Sequence, residues 1–511
     1  MAAGRVDAAT RPGLQRVAVV AVVAAVLAGI ALRVTTRSDL WLDEALSVDI
    51  ARLPLHDMFD ALTRDGHPPL YYLLLHVWMK AFGQGDDAVR SLSGLFSVAT
   101  LPLAWVAGRR FGGRPTAVAL VVLLATNPFA IRYATEARMY ALVTLLVVAG
   151  WLSIQAALDS RSTVALVGVA LTTGLLLLTH YWSFYLVAAV ALVLVWHRWR
   201  GRSEALRVLV AMAAGCVLFV PWLPSFLAQA GSTGTPWGLP ARPTSVVMTT
   251  LADWGGGTLD GLNGESQLLG VLLALLALIA LFARSSDGTR LELDLRTVPR
   301  ARNESVVVAM TMGLAVIAGY ATASAFASRY TAGVFPLVLL VAAYGVTRLP
   351  GSAVRAGALV LVAALGLIRG VDNFGTQRTE AGTIARYINA NGAPGDLVAF
   401  CPDQLGPAVA RLLPATFGER TFPRGRPPQL VDWVDYAAKV RAGDPAAFAR
   451  DLDERAASHT VWLVWAGSYR TLGTRCETLA DELRRLRPGG TAVVASSTQF
   501  EHAWLYQYGP S

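Results

Sequence analysis

The sequence has 511 residues, of which 54% are hydrophobic and only 15% are charged, with a mean hydropathy of +0.47. This composition is too apolar for a water-soluble globular protein and predicts that most of the chain lies in a lipid bilayer. The formal net charge is +9, which in a membrane protein reflects arginines retained on the cytoplasmic side. Because no basic stripe with interleaved aromatic residues is present, the charge does not indicate nucleic-acid binding.

Apolar runs of about twenty residues, the length that crosses a bilayer as a helix, recur along most of the chain. The first run follows the basic residues Arg5, Arg11 and Arg16 and lacks a convincing cleavage site, so we interpret it as an uncleaved first helix rather than a signal peptide. The sequence predicts about eleven spans, near residues 16–34, 90–108, 116–131, 138–157, 163–180, 183–197, 206–224, 267–283, 304–322, 331–347 and 354–369.

The apolar run Pro68–Phe82 is ambiguous, because it is short for a span and contains His76 and Lys80. The distribution of basic residues favours one placement. If this run lies at the interface and does not cross, the N-terminus and the strongly basic loops all fall on the cytoplasmic side, as the positive-inside rule requires. These loops are Arg109–Arg114, His197–Arg207, Arg284–Arg302 and Arg348–Arg355.

This topology predicts a multi-pass protein of the plasma membrane with three parts. Residues 1–15 are a cytoplasmic N-terminus, residues 16–370 a transmembrane domain, and residues 371–511 an extracytoplasmic domain. The first extracytoplasmic loop, residues 35–90, is long and charged, and a second loop, Ser225–Gln267, is rich in Gly, Pro and Trp.

The C-terminal part has the helix and strand patterns of a small α/β domain, without a glycine-rich phosphate loop. Its two cysteines, Cys401 and Cys476, either form a disulfide in an oxidising compartment or remain buried free thiols, and the sequence leaves both alternatives open. The predicted elements are helices at Ala381–Asn391 and Cys476–Leu486 and strands at Asp396–Cys401, Val461–Trp465 and Thr491–Ser496.

Two adjacent carboxylates, Asp43 and Glu44, follow the first predicted span within a turn or two of the membrane surface. Charge at this depth costs least when it faces water or a polar cavity. One interpretation is solvation of a helix end at the interface. The other is a general base, because a carboxylate at the mouth of a membrane cavity can take a proton from an acceptor hydroxyl.

Other polar residues stand at helix ends on the same predicted side. His67 comes directly before paired prolines that start a helix, a position where histidine is more often a helix-entry residue than a ligand. Arg132 and Glu136 are four residues apart and either pair with each other or contribute, with Arg138, to a site.

Two further external helix ends carry polar groups, with His180 after the fifth predicted span and Arg329 and Tyr330 before the tenth. An arginine at that depth either snorkels to phosphate headgroups or grips the phosphate of a lipid-linked donor through its bidentate guanidinium. The polar clusters therefore converge on one membrane surface, at helix ends, where a lipid phosphate would lie.

In this order, the motifs resemble those of polyprenyl-phosphate-dependent glycosyltransferases of the GT-C class. The branch they resemble most is glycosyltransferase family 39 in the broad sense, the bacterial relatives of protein O-mannosyltransferases and lipid A aminoarabinose transferases. The resemblance covers the membrane region to about residue 347. It rests on Asp43-Glu44, His67-Pro68-Pro69-Leu70-Tyr71-Tyr72, Glu136-Ala137-Arg138-Met139-Tyr140 and Arg329-Tyr330 with Pro336.

The resemblance implies that Asp43 is the catalytic base, with Glu44 as its acidic neighbour. Asp43 would activate an acceptor hydroxyl, which attacks the anomeric carbon of the sugar with inversion while the lipid phosphate leaves. Arg138 and Arg329 would stabilise the departing phosphate, where negative charge develops. The donor-binding residues implied by the resemblance are His67, Arg132, Glu136, Arg138, Tyr140, His180, Arg329 and Tyr330.

One position departs from the aminoarabinose branch, which has an arginine three residues after its aspartate. Here that position is Leu46, so a phosphate contact must come from elsewhere in the chain. Some relatives hold a divalent metal ion near the site, but no convincing ligand set stands out in this sequence, which leaves metal dependence open.

We therefore expect a membrane glycosyltransferase that moves a sugar, mannose or arabinose, from a polyprenyl-phosphate donor to a hydroxyl of an envelope glycan, glycolipid or protein. A transporter or flippase of a lipid-linked sugar is the alternative, but it predicts repeated halves and ionisable residues near the middle of the bilayer, neither of which the sequence shows. A third alternative, a catalytically silent assembly protein, fits less well with intact carboxylates in the first loop.

Overall fold

The computed structural model describes residues 11–233, 240–257, 264–286, 290–467, 469–497 and 500–510. Most of the predicted cytoplasmic segment 1–15 and parts of the loop Ser225–Gln267 lie outside these residues. The helices are α1 Arg11–Ala31, α2 Leu42–Ala51, α3 Leu55–Asp65, α4 Leu70–Phe82, α5 Asp86–Gly112, α6 Arg114–Thr126, α7 Pro128–Ala134, α8 Tyr140–Asp159, α9 Thr163–Leu177, α10 Ser183–Trp199, α11 Glu204–Val217, α12 Leu223–Ser232, α13 Pro243–Trp254, α14 Gly264–Phe282, α15 Pro299–Ala321, α16 Phe335–Arg348, α17 Ser352–Gly375, α18 Ala381–Asn391, α19 Gly406–Ala410, α20 Tyr436–Ala442, α21 Pro445–Ala456 and α22 Arg475–Leu486. The strands are β1 Ala283–Ser286, β2 Arg290–Leu293, β3 Leu397–Cys401, β4 Gly418–Thr421, β5 Val461–Trp465, β6 Thr491–Val494 and β7 Trp504–Tyr508.

Within the described residues, four helices are long and apolar enough to cross a membrane alone, namely α5, α8, α15 and α17. The number rises to six if two bent pairs, α6 with α7 and α11 with Val220–Ser232, each count as one span. Shorter apolar helices occupy the remaining predicted positions, namely α1, α9, α10, α14 and α16. The predicted class, a helical membrane protein with a C-terminal α/β domain, is confirmed, whereas the predicted number of about eleven spans stays a prediction.

The break between α6 and α7 places polar residues at one end of the helix bundle. Pro128 stands at the start of α7, and the side chain of Asn127 caps this helix by accepting hydrogen bonds from the N–H groups of Phe129 and Ala130, at 2.9 and 3.3 Å. The resulting bend of 56° turns the chain away from the axis of α6. Arg132 and the following turn are thereby placed at the end of the bundle instead of inside a continuous span.

A buried arginine ties three helices together near the same end. Arg33 follows α1, is almost fully buried, and donates hydrogen bonds to the carbonyl oxygens of Leu124 and Ala125, at 2.5 Å each. Its Nε donates to Ser97 Oγ on α5 at 3.0 Å. Because these carbonyl groups are at the C-terminal end of α6 and lack helical partners, the guanidinium acts as a helix cap and fixes α1, α5 and α6.

The ambiguous run forms the helix α4, which begins at Leu70. At 1.5 Å per residue its 13 residues extend about 20 Å, less than the roughly 30 Å of a hydrocarbon core. One face of α4, including Tyr71 and Tyr72, is fully buried. The placement of α4 at the interface stays a prediction that its length supports.

The C-terminal domain is a five-stranded sheet in the order β4-β3-β5-β7-β6. The strand β3 pairs in parallel with β4 and β5, whereas β7 is antiparallel to both β5 and β6. A disulfide joins Cys401 at the end of β3 to Cys476 in α22, with their Cα atoms 5.5 Å apart. Of the two alternatives that the sequence left open for these cysteines, the structure has the disulfide.

The sheet domain contacts the polar end of the bundle directly. The helix α19 packs against α2 of the first loop. Arg411, which follows α19, forms an ion pair with Asp86 at the start of α5, with 2.6 Å between Nη1 and Oδ1. The first loop therefore lies between the bundle and the C-terminal domain, where both can position its side chains.

Candidate active site

Asp43 lies in the first turn of α2, at the end of the bundle where the first loop begins. Its Oδ2 is 3.5 Å from Arg329 Nη2 and 3.8 Å from Arg138 Nη2. These distances are those of ion pairs and are too long for good hydrogen bonds. Oδ2 is buried, and no hydrogen bond reaches it from any described residue.

The surroundings of Arg138 explain its orientation. Its Nη1 donates to Ser47 Oγ at 3.0 Å and to the Tyr72 hydroxyl at 3.3 Å, while Nη2 lies 2.9 Å from His67 Nε2. Its own carbonyl oxygen accepts a hydrogen bond from Ser93 Oγ at 3.0 Å. Both the backbone and the guanidinium of Arg138 are therefore held, and it is 3% exposed.

His67 connects Arg138 to a buried carboxylate. Its Nδ1 is 2.8 Å from Asp65 Oδ2, and its Nε2 faces Arg138. A guanidinium only donates hydrogen bonds, so Nε2 must accept and the ring proton must be on Nδ1, donated to Asp65. The turn begins at Gly66, whose φ of +91° is strained for residues with a side chain. His67 thus orients Arg138 within the site.

Arg329 comes from a short 3-10 helix, Ser328–Gly333, before α16. Its guanidinium carbon lies 5.8 Å from the ring centroids of both Trp41 and Tyr330. Such cation–π contacts hold the guanidinium over the first turn of α2. Arg329 is more exposed than Arg138, with 20% of its side chain accessible.

A row of ring side chains extends from Arg329 and is called the aromatic side of the site. It consists of Tyr140, His180, Trp182 and Tyr330. His180 lies between Tyr140 and Tyr330, with ring centroids 5.8 and 5.3 Å away, and Trp182 lies 5.3 Å from Tyr330. The N–H of Trp182 donates to His180 Nδ1 at 3.1 Å. Burial, with the nearby cations of Arg138 and Arg329 acting in the same direction, lowers the pKa of His180 well below its ordinary value. His180 is therefore neutral, with its proton on Nε2.

Glu44 points away from Asp43 into a fully buried ion pair. Arg90 donates from Nε to Glu44 Oε1 at 2.7 Å and from Nη2 to Oε2 at 2.6 Å, and the N–H of Ala137 donates to Oε1 at 2.9 Å. Burial by itself raises the pKa of Glu44, but the charges of Arg90 and Arg378 outweigh it and keep the pKa below its ordinary value. Glu44 thereby joins α2 to α5 and to the turn before α8.

Arg132 and Glu136 form a second buried cluster beside this pair. Arg132 Nε is 3.6 Å from Glu136 Oε1, and Arg132 Nη1 is 3.7 Å from Asp253 Oδ1 on α13. Burial raises the pKa of Glu136. The structure therefore brings Arg132 and Glu136 together with each other, whereas it gathers His67, Arg138, Arg329 and the aromatic side around the carboxylate of Asp43.

Sequence reasoning missed Arg378, which connects the two clusters. Its side chain is fully buried after α17 and donates to the carbonyl oxygen and the hydroxyl of Thr135, at 2.9 and 2.7 Å. Its Nη1 lies 3.7 Å from Glu44 Oε2 and 3.9 Å from Glu136 Oε1. Arg378 follows the last predicted span, and no local pattern distinguishes it from the other interfacial arginines.

A divalent metal ion does not fit this arrangement. Across the part of the chain that the structure describes, no three His, Cys, Asp or Glu side chains are grouped as metal ligands. The Asp43 carboxylate faces two guanidinium groups, which would repel a metal cation. We assign no step to a metal.

Comparisons with known proteins agree with the motifs. Residues 66–224 match the family model described as dolichyl-phosphate-mannose-protein mannosyltransferase. This segment contains His67, Arg138 and His180 but neither Asp43 nor Arg329. No curated protein matches the chain significantly by sequence.

Solved structures give the fold along nearly the whole chain. The crystal structure of ArnT from Cupriavidus metallidurans in the apo state is 14% identical, with a TM-score of 0.57, and the match covers 96% of this chain and 99% of ArnT. The crystal structure of the same protein bound to undecaprenyl phosphate is 15% identical, with the same coverage and TM-score. The chain is therefore a membrane protein with the GT-C fold of ArnT, and it resembles the glycosyltransferases of family 39, as the motifs predicted.

Proposed function

We propose that this protein transfers a sugar, mannose or arabinose, from a polyprenyl-phosphate donor to a hydroxyl group of a cell-envelope glycan, glycolipid or protein. The observation that carries the proposal is the placement of the Asp43 carboxylate between Arg138 and Arg329. A base and two cations close together are what a transfer from a lipid phosphate requires. The family model and the ArnT fold support the same reaction class.

Asp43 serves as the general base in this proposal. Its carboxylate takes the proton of the acceptor hydroxyl, and the hydroxyl oxygen attacks the anomeric carbon of the donor sugar. The bond between that carbon and the phosphate oxygen breaks, and polyprenyl phosphate leaves with the electron pair. Attack from the side opposite the leaving phosphate inverts the configuration of the sugar.

Arg138 and Arg329 bind the phosphate of the donor. Each guanidinium presents several N–H donors in a plane, which suits phosphate oxygens, and the negative charge on those oxygens grows as the bond breaks. Their long contacts with Asp43 leave donors available for a ligand. When the phosphate takes over these cations, Asp43 loses part of its own ion pairing and becomes the better proton acceptor.

A small apolar cavity of about 40 Å³ lies beside the aromatic side of the site and is lined by residues that include Trp182, Tyr185, Val246 and Phe326. Trp182 contacts Phe326 and Tyr330, at 5.6 and 5.3 Å between ring centroids. The cavity is too small to hold an isoprenoid chain, but a chain lying along these rings would place its phosphate near Arg329. The undecaprenyl phosphate bound to ArnT, a protein of the same fold, supports a donor of this class.

We further propose that the site and the C-terminal domain, residues 371–511, face the extracytoplasmic side of the plasma membrane and that residues 1–15 face the cytoplasm. The basic loops at the other end of the bundle support this orientation through the positive-inside rule. The disulfide between Cys401 and Cys476 supports it independently, because disulfides persist in oxidising compartments.

The candidate residues divide into two groups by their contacts. The residues grouped around the Asp43 carboxylate are the donor and acceptor side of the proposed site, namely Asp43, His67, Arg138, Arg329, Tyr330, Tyr140 and His180. Glu44, Arg132 and Glu136 lie in buried ion pairs, and we assign them the role of fixing the first loop and the turn before α8.

The test uses the purified full chain in lipid, with radiolabelled polyprenyl-phosphate mannose or arabinose as donor and an envelope extract as acceptor. Wild type should transfer label from one donor, and Asp43→Asn should transfer about a hundredfold less, the scale of a missing general base. The matched control is Asp87→Asn, an exposed carboxylate in the first turn of α5, which should behave as wild type. Equal transfer by wild type and Asp43→Asn would remove Asp43 as the base.

A further inference from the structure

The C-terminal domain extends one short segment into the proposed site. Glu501, between β6 and β7, pairs its backbone with the chain that leaves α17: its N–H donates to Arg378 O at 2.9 Å, and its carbonyl accepts from the N–H of Glu380 at 3.3 Å. The neighbouring Phe500 meets Trp41 edge to face, with ring centroids 5.0 Å apart. This segment therefore lies directly over the first turn of α2.

The side chain of Glu501 completes that first turn. Its Oε1 accepts a hydrogen bond from the backbone N–H of Leu42 at 3.1 Å. The first N–H groups of a helix have no partner within the helix, and the residue before α2, Trp41, provides no side-chain cap. A carboxyl group more than 450 residues away in the sequence thus supplies the missing cap.

The cap acts on the residue next to the proposed base. Leu42 and Asp43 are consecutive, so fixing the N–H of Leu42 fixes the direction in which the Asp43 side chain leaves the helix. Trp41 is held at the same time, between the Phe500 ring and the guanidinium of Arg329. Two segments far from α2 in the sequence, Phe500–Glu501 and Arg329, therefore contact the residues directly before Asp43.

We infer that Glu501 is a positioning residue for the proposed sugar transfer: it caps α2 through Leu42 and holds Asp43 opposite Arg138 and Arg329. The inference rests on the proposed role of Asp43 as base. It gives the C-terminal domain a direct part in the reaction, because removal of the domain would leave the first turn of α2 without its cap.

The protonation state of Glu501 is consistent with this role. Its side chain is 6% exposed, and burial, together with the charges of Asp43 and Glu44 on α2, raises its pKa to about 8. The other titratable groups that face this segment are Tyr469 and the Glu380 carboxylate, with Arg132 near the Phe500 ring. The raised pKa favours the uncharged acid near neutral pH, in which form Glu501 caps α2 without placing another negative charge beside Asp43.

Ionisation should disturb this arrangement. Above about pH 8 the buried Glu501 carboxylate would carry a charge beside Asp43 and Glu44. The charged side chain would then be more stable in water than in the capping position. Wild-type kcat should therefore fall on the alkaline side with an apparent pKa near that of Glu501. A glutamine has the same carbonyl acceptor and does not ionise in this range.

The experiment measures kcat and donor KM of the reconstituted full chain from pH 6 to 9 for wild type, Glu501→Ala and Glu501→Gln. Loss of the cap in Glu501→Ala should lower kcat about tenfold or more, because small misplacements of a reacting group are costly, while donor KM changes little. Glu501→Gln should restore most of that kcat at pH 7 and should lack the alkaline fall. Glu454→Ala, an exposed carboxylate on α21, is the matched control and should match wild type.

Wild-type kcat in Glu501→Ala, or an unchanged alkaline fall in Glu501→Gln, would overturn the inference. Where Glu501→Ala does not fold, as judged by its thermal unfolding, the pH profile of Glu501→Gln decides alone. Asp43→Asn is measured in parallel to separate the two proposals. If Asp43→Asn is inactive and both Glu501 variants resemble wild type, only the positioning role fails; if Asp43→Asn is fully active, the proposed base and the inference fall together.

Discussion

Arg90 holds Glu44 through two hydrogen bonds of 2.7 and 2.6 Å, in a pair of which Glu44 is fully buried. Glu44, the residue beside the proposed base, therefore has a structural role. Two adjacent carboxylates on one helix point about 100° apart, and here one faces Arg138 and Arg329 while the other joins α2 to α5.

Removing one partner of this pair should destabilise the fold. Arg90→Ala leaves the Glu44 carboxylate buried without its main cation, and breaking a buried pair costs about 3–5 kcal/mol. Thermal unfolding of the purified full chain in detergent should show a clearly lower midpoint for Arg90→Ala, whereas Asp43→Asn should unfold close to wild type. An unchanged midpoint for Arg90→Ala would show that the pair contributes little.

The proposed transfer should require an arginine, and not only a positive charge, at the position of Arg329. Replacement by lysine keeps the charge but removes the planar donors that match phosphate oxygens, and replacement by alanine removes both. We expect Arg329→Ala to lower kcat/KM for the donor by about a hundredfold or more, as for loss of an electrostatic donor in other enzymes, with Arg329→Lys in between. The control is Arg386→Ala, an exposed arginine on α18. Equal activity of Arg329→Ala and Arg386→Ala would remove Arg329 from the phosphate site.

Asp65 should act on Arg138 through His67. Asp65→Leu removes the acceptor of the His67 Nδ1 proton, so the ring proton is no longer held on Nδ1. With the proton on Nε2, two donors, His67 and Arg138, would oppose each other across 2.9 Å. Arg138 should then shift, and kcat should fall about tenfold or more. His67→Gln offers a carbonyl acceptor to Arg138 and should retain more activity than His67→Leu. The reverse order for these two variants would contradict the orienting role of His67.

The disulfide should stabilise the C-terminal domain. It closes a loop with a sequence separation of 75 residues, and on the chain-entropy model a loop of this length contributes about 4 kcal/mol. The double variant Cys401→Ser, Cys476→Ser should therefore unfold at lower temperature, and reductant should lower the midpoint of wild type but not of the variant. The free thiol Cys216 provides the control, because Cys216→Ser should unfold as wild type.

Glu501 should make stability depend on pH. Its pKa rises from an ordinary value of 4.5 to about 8 in the folded protein, so between these values the folded state binds the proton that the unfolded chain has released. The contribution of Glu501 to folding is therefore fully present below pH 4.5 and is lost as pH rises towards 8.

Buried Asp403 and Asp49, with pKa values raised by burial to about 7 and about 6, act in the same direction. The measurement is therefore the difference between wild type and Glu501→Gln. The unfolding midpoint of wild type should fall more between pH 5 and 8 than that of the variant, and parallel slopes would show that Glu501 does not titrate in this range.

The helices of the membrane domain could be predicted because their signal is local. A helix in lipid needs about twenty apolar residues wherever it stands in the chain, and an apolar helix is found at each of the positions predicted from residue 16 onward. In the C-terminal domain, β3 and β5 are fully apolar and were predicted. The edge strand β4 was missed, because its four residues include Glu419 and Arg420 and pair only through the backbone of β3.

The order of short motifs in the sequence determined the candidate base, Asp43, and the two cations, Arg138 and Arg329, that the structure places beside it. The sequence could not show that Glu44 lies in a buried ion pair with Arg90, nor find Arg378 and Glu501. Only the tertiary structure decided these, because the burial and the partners of a polar side chain depend on contacts between segments hundreds of residues apart, and no local pattern records them.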